Sequence, residues 1–302
     1  MRLLLSIALA LTMSLFLISC AGNQVSDQAH QPHEVGIAYM NLETGEILAY
    51  NAHTIFHAAS TMKTPVMFQL FKMRDAGVID LDQKIQVSNR FTSIVDGSLF
   101  SLPMESEQDE ILFPQLNHYL SYRELMEKMI TASSNLATNI LMKYTGADSI
   151  SKTLRQIEAS GVMVMRGVED LKAYRLGLNN ATSAYGMMKV MEAVYQSDLV
   201  ADSSRAEMIE ILKRQQFNTM IPAGLPENVV VAHKTGSITR IAHDAALVFP
   251  PEAAPFVLVI LTRGWDEPAE ARRVGARIAG VVYDYHLGLL DRTDIVVPDL
   301  LK

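Results

Sequence analysis

Strand-like patterns stand at both ends of this chain and helical ones fill its middle; this arrangement limits the possible folds more than any other feature. VGIAYMNL and EILAY read as a hairpin over Glu34–Tyr50, with Glu43-Thr44-Gly45-Glu46 as its turn. Strand character returns over Asn228–His233, Ala245–Phe249 and Phe256–Thr262. Between them, Val66, Met67, Leu70, Phe71 and Met73 follow a helical period from about Lys63, ending near Gly77. Tyr122–Tyr144, Ile150–Ala159 and Ser183–Gln196 also read as helices, and an amphipathic helix runs from about Pro268 to Leu290. The two ends are expected to build one sheet-containing part, about 34–59 and 220–297, and the middle, about 60–219, a helical part. A cleft between two such parts is a common place for a ligand.

The first segment reads as an address rather than as part of the fold. Arg2 is followed by an apolar run, Leu3 to Ile18, too short for a confident spanning helix. The run ends in Leu17-Ile18-Ser19-Cys20, which resembles a bacterial lipoprotein box: residues 1–19 form the signal peptide and Cys20 takes the lipid. Residues 20–33 read as a polar tether, leaving 34–297 as the folded domain. The expected location is the periplasmic side of a membrane, with the outer membrane favoured because Ala21 follows the Cys.

Composition removes several function classes. With 26 Lys+Arg against 33 Asp+Glu the chain is acidic, at −7, which argues against nucleic-acid binding. A single cysteine excludes an internal disulfide and a multi-cysteine zinc site. His53 and His57 have a metal-like spacing, but no Glu follows His53 and the segment reads as strand and loop, so no metal or cofactor is expected. A monomer is expected. No G-x-S-x-G elbow is present.

Three short motifs remain. Ser60-Thr61-Met62-Lys63 is an S-x-x-K, which a helix would place on one face one turn apart. A serine hydroxyl needs a base, and a lysine kept dry or beside another cation can serve as one. Alone the motif is weak: Ser149-Ile150-Ser151-Lys152 has the same spacing and reads as the polar start of a surface helix. Ser133-Ser134-Asn135, the only S-x-N, sits in an apolar helical stretch where polar groups need partners. Lys234-Thr235-Gly236, the only K-T-G, follows the strand-like NVVVAH, and its Gly would let a ligand lie close to the backbone.

In this order the three resemble the signature of class A β-lactamases and penicillin-binding proteins. Phe56-His57-Ala58-Ala59 before Ser60, Met129-Ile130-Thr131 before Ser133, Asn139 after it, Gly224-Leu225-Pro226 and His243-Asp244-Ala245-Ala246 extend the resemblance over about 34–290. It implies a two-part α/β (α+β) β-lactamase/transpeptidase-like fold: an antiparallel sheet flanked by helices, an all-helical part, and the active site between them.

The resemblance also implies a β-lactam as substrate and roles for individual residues. Ser60 is the nucleophile, Lys63 assists its deprotonation, and Ser133 passes a proton to the lactam nitrogen. Lys234 supports Ser133 and attracts the substrate carboxylate, which Thr235 and Ser237 also bind beside Gly236. Asn135 contacts the acylamido side chain and helps hold Lys63. The N–H groups of Ser60 and Ser237 form the oxyanion hole. Deacylation is where the chain departs from the family, because E-x-x-L-N is absent. Glu169 is the best candidate base, with Ala173 where the family Asn would stand; Asn179 could replace that Asn only in a loop folded differently, and Asp170 and Glu158 are the less favoured candidates for the base. Val87–Tyr119 looks enlarged, as a possible change to the cleft rim. The leading expectation is a lipid-anchored serine β-lactamase. The alternatives are a penicillin-binding-protein-like D,D-peptidase or other serine acyl hydrolase with slow deacylation, and a non-catalytic module that binds β-lactam or peptidoglycan.

Overall fold

A computed structural model describes residues 33–107 and 109–301; the leader, Cys20 and nearly all of the tether lie outside them. Strands β1 (Glu34–Asn41) and β2 (Ile47–Tyr50) form the first hairpin. Two-residue strands β3 (Phe56–His57) and β8 (Ala181–Thr182) pair with each other, as do β4 (Lys84–Gln86) with β7 (Tyr119–Ser121), and β5 (Phe91–Thr92) with β6 (Leu99–Phe100). Three long strands follow near the C-terminus: β9 (Val230–Ile238), β10 (Ile241–Phe249) and β11 (Phe256–Arg263). The main sheet is antiparallel in the order β2-β1-β11-β10-β9, so β1 pairs with β11 and the two ends of the domain share one sheet.

The sheet is covered on both faces, which explains why β1 and β11 are apolar almost without interruption. Ala38 and Met40 of β1, and Val257, Val259 and Leu261 of β11, join the core shared with the helical part. The alternate residues Val35, Ile37 and Tyr39, and Phe256, Leu258 and Ile260, join a second core with α8 (Pro268–His286). Period-two alternation therefore sorts one strand's side chains into two cores rather than into core and solvent.

The helical part contains α1 (Lys63–Asp75), α2 (Tyr122–Thr131), α3 (Asn135–Thr145), α4 (Ala147–Gln156), α5 (Leu171–Arg175), α6 (Ala184–Gln196) and α7 (Asp202–Lys213); α9 (Val297–Leu300) follows α8. The first nine residues of α1, Lys63–Phe71, are all buried, so this is a central helix wrapped by its neighbours. The pattern missed α7, whose buried face is only Ser204, Met208, Ile211 and Leu212. It also placed the end of β9 too early: Lys234-Thr235-Gly236 lies within the strand, not after it. No helix among the described residues is long and apolar enough to cross a membrane.

The expected single helix over Tyr122–Tyr144 is two helices. Ser133, between them, has φ +57°, and the Ser134 hydroxyl caps α3 by accepting the Ala137 N–H at 3.1 Å. The N-cap offers the backbone an alternative to continuing the helix. The apolar pattern runs through this break because buried residues continue on both sides of it, Met129 and Ile130 before and Leu136 and Ala137 after.

Candidate active site

Ser60 lies in a tight 3-10 turn, Ala59–Met62, that runs straight into α1, whose first residue is Lys63. The S-x-x-K spacing thus spans one turn, as the sequence suggests. The turn is tied locally: the Thr61 N–H and hydroxyl both donate to the Ala58 carbonyl, at 3.1 and 2.6 Å. Ala59 has φ +45°, a conformation that costs an Ala about 1–3 kcal/mol and persists only where the surroundings enforce it. Strand β9, the edge of the sheet, presses against this turn. A Cβ on Gly236 would lie 3.0 Å from the backbone nitrogens of Ser60 and Thr61 and 3.2 Å from the Ala58 carbonyl. Only a glycine lets strand and turn come this close.

The break between α2 and α3 sets Ser133 facing both lysines. Lys63 Nζ donates to the Ser133 carbonyl (2.7 Å), to Asn135 Oδ1 (2.9 Å) and to Ser133 Oγ (3.2 Å). Lys234 Nζ donates to the same Oγ at 3.1 Å and to the Thr235 carbonyl at 2.9 Å. Both lysines are fully buried. Burial, then the nearby Lys234 charge, push Lys63 well below the ordinary lysine value, with Glu107 opposing them. Burial brings Lys234 down to about 7 against the pull of Asp244. The geometry suits proton traffic. An ammonium at Lys63 uses its three N–H groups on the three oxygens; a neutral amine keeps the two shorter bonds and accepts the Ser133 proton on its lone pair. The Ser133 hydroxyl can therefore give or take a proton through lysines on either side.

A cleft of about 700 Å³ opens over these groups, lined by Ser60, Ser133, Asn135, Thr235, Gly236 and Ser237 among others. Phe217, Thr219 and Arg272 line it as well. Sequence reasoning passed over these three because no motif contains them. Ser237 is exposed, and its hydroxyl donates to the Ile241 carbonyl at 3.3 Å. The second S-x-x-K is elsewhere: Ser149 and Lys152 lie on α4 and do not line the cleft.

The far wall is the loop 165–180, braced from three directions. The Arg166 guanidinium donates to the carbonyls of Leu178 (2.8 Å) and Gly167 (2.9 Å) and to Asn179 Oδ1 (2.9 Å). Asn180 Oδ1 accepts the N–H groups of Met165 and Arg166. Asn139 on α3 accepts the Val168 N–H at 2.7 Å and donates to its carbonyl at 2.9 Å; a Cβ on Gly167 would lie 2.3 Å from that Asn139 oxygen. Asp170 is buried and fully engaged, accepting from the Ser93 hydroxyl and from the N–H groups of Ile94 and Ala173. Glu169 lies between the two anchored neighbours, half-buried, at φ +61°, and lines the cleft. Asn179 spends its oxygen on Arg166, and Ala173 is buried with no polar group to offer.

Segment 87–119, expected at the cleft rim, contributes none of its described residues to the cleft lining and instead braces the loop and the start of α3. Ser93 and Ile94 grip the loop through Asp170. Farther along, the Ser106 carbonyl accepts from Asn135 Nδ2 at 2.7 Å, and Glu107 accepts the N–H groups of Asn135 and Leu136 at the start of α3. Nothing in the sequence marked Glu107. Among the described residues no cluster of His, Cys, Asp or Glu could hold a metal ion.

Comparison with known proteins places this geometry. A family described as "Beta-lactamase enzyme family" matches residues 22–286. A β-lactamase of Bacteroides uniformis is 24% identical over 265 residues, covering 83% of this chain and 85% of that protein. The solved structure of PBP-A is 25% identical, with 85% of this chain and 93% of that one aligned and a TM-score of 0.71. An ancestral class A β-lactamase is 22% identical, covers 83% and 94%, and reaches a TM-score of 0.72. A hydroxyl held between two dry lysines beside a serine at the head of a buried helix thus has a family to which it belongs: this chain is a member of the β-lactamase enzyme family, a class A β-lactamase-like serine hydrolase.

Proposed function

We propose that this protein hydrolyses β-lactams through an acyl-enzyme on Ser60. One observation carries the reading most directly: the Ser133 hydroxyl lies 3.2 and 3.1 Å from the Nζ atoms of two fully buried lysines, in the cleft that Ser60 also lines. Ser60 Oγ attacks the lactam carbonyl while its proton passes to the neutral Lys63 amine. The N–H groups of Ser60 and Ser237 hold the developing oxyanion, the kind of contact worth about 3–4 kcal/mol per donor. As the C–N bond breaks, the lactam nitrogen takes the Ser133 proton, which Lys63 replaces. A substrate carboxylate lies against Lys234, Thr235 and Ser237, and its charge favours the protonated lysine. Water then attacks the ester and gives a proton to Glu169; as the ester bond breaks, that proton is returned to Ser60 Oγ, which leaves Glu169 ionised and Ser60 regenerated. The anchored neighbours of Glu169 and its place on the cleft wall support that assignment.

A second reading follows from Ala173. A deacylating carboxylate needs its water held from a second side, and here that position offers only a buried methyl group. A penicillin-binding enzyme that acylates and clears slowly fits this feature, and PBP-A is among the similar structures. Steady-state and burst kinetics with a chromogenic cephalosporin separate the two. Sustained turnover that Glu169→Gln converts to a burst and stall supports the hydrolase. A stall in the wild type moves the chain to the slow-clearing class, and normal turnover by Glu169→Gln passes the base to another group. We also propose a lipid anchor at Cys20 on the periplasmic side.

A further inference from the structure

His57 stands three residues before Ser60, and its backbone and side chain do separate work. Its carbonyl accepts from His243 Nε2 at 2.9 Å, and His243 Nδ1 accepts the Thr262 N–H at 3.1 Å. That fixes the His243 tautomer, with the proton on Nε2, and burial keeps this ring neutral down to about 4. The His57 side chain turns the other way along the chain: its Nδ1 accepts the Ala59 N–H at 3.0 Å. Only an unprotonated Nδ1 can accept, so the bond requires a neutral ring with its hydrogen on Nε2. The residue it grips is Ala59, at φ +45°, and the next N–H along the chain is that of Ser60. His57 itself lines the cleft.

We propose that His57 is a positioning residue for the nucleophile: its neutral imidazole holds the strained Ala59 peptide that presents the Ser60 N–H, and protonation of the ring releases that peptide and shuts acylation down in acid. This rests on the acyl-enzyme reading above. A protonated ring carries a hydrogen on Nδ1, which meets the Ala59 N–H donor to donor, so the bond is lost and not merely weakened.

The surroundings favour the neutral ring. Burial, then the Arg166 charge, hold His57 below the usual histidine value of 6.5. Tyr174 meets it edge to face at 6.3 Å, and His243 stays uncharged behind it. The acidic groups of the same loop, Glu169 and Asp170, act on Arg166, and it is the Arg166 charge that acts on the ring. The ring therefore titrates below the usual histidine value, so the switch acts on the acid side of neutrality.

Three substitutions isolate the acceptor. The Oδ1 of His57→Asn sits about where Nδ1 does and does not titrate. His57→Gln carries its oxygen one bond too far, and His57→Leu has none. At neutral pH, His57→Leu and His57→Gln should acylate with penicillin roughly ten- to a hundredfold more slowly than wild type. His57→Asn should recover most of that loss and lose the His57 proton from the acid limb, leaving only the limb that protonation of Lys63 gives. A readout independent of activity is the Ala59 amide resonance, which should shift with the titration of the His57 ring in wild type and stay fixed in His57→Asn. Asparagine no better than leucine, an acid limb in His57→Asn that involves as many protons as in wild type, or an Ala59 amide indifferent to the ring would each overturn the proposal. Wild type that takes no β-lactam would instead remove the acyl-enzyme reading, and the amide titration would still decide the role of His57.

Discussion

Gly236→Ala tests how closely β9 and the nucleophile turn must meet. The added methyl would lie 3.0 Å from the nitrogens of Ser60 and Thr61 and 3.2 Å from the Ala58 carbonyl, where ordinary contact begins at 3.4 Å. All three are backbone atoms, so none can swing aside as a side-chain tip could. Strand and turn must separate by about 0.4 Å, which is as wide as the whole working range of an oxyanion contact, about 2.7–3.1 Å. In the proposed mechanism one donor, the Ser60 N–H, belongs to the turn and the other, the Ser237 N–H, belongs to the strand. The separation therefore pulls the two apart at the reacting centre. Acylation by penicillin, followed by stopped flow, should fall by about a hundredfold. Overpacking should lower stability by only about 1–3 kcal/mol, read from thermal unfolding, so the loss of rate would not reflect loss of fold. A folded Gly236→Ala protein that acylates within about threefold of wild type would refute the reasoning, because the two donors would then tolerate separation.

Asp170→Ala should lower stability, since it removes the acceptor for Ser93, Ile94 and Ala173; a loss of about 1–3 kcal/mol in denaturant unfolding is expected. Burial raises the Asp170 carboxyl, but those hydrogen bonds outweigh it and the net direction is down. Its stabilisation is therefore present above the usual carboxylate value and lost as pH falls through the folded one. For Lys234, affinity for an anionic substrate should fall as pH rises through about 7, while a substrate with its carboxylate esterified shows no such limb. Between about 7 and 10.5 the unfolded chain holds a proton that folded Lys234 has lost, so this residue's contribution to stability rises with pH. Membrane fractionation of Cys20→Ser should find the protein released or left unprocessed; normal anchoring would remove the lipoprotein reading.

The sheet was legible because β1, β11 and the second half of β10, Ala245–Phe249, carry apolar runs that few other elements produce, and Ser60-Thr61-Met62-Lys63 was legible because helix geometry turns its spacing into proximity. The break at Ser133 was not, since the apolar pattern continues across it and only a local cap and one positive φ make it. The long β9 was cut short because Lys234-Thr235-Gly236 looks polar and turn-like, yet Lys234 is buried and Gly236 packs against the turn. Glu107 and the acceptor role of His57 left no signal. One acts across 28 residues of chain on Asn135, and the other depends on which ring nitrogen faces a strained peptide. Such contacts are made by tertiary structure and have no periodicity to betray them.

The central claim is that Ser60 carries the acyl group and releases it. Intact-protein mass spectrometry over time, with penicillin added to wild type and to Ser60→Ala, tests it most directly. The account predicts a single adduct on wild type, mapped to Ser60, that forms and then decays as product accumulates, with none on Ser60→Ala. An adduct that persists on Ser60→Ala, or a wild type that never acquires one, would contradict it.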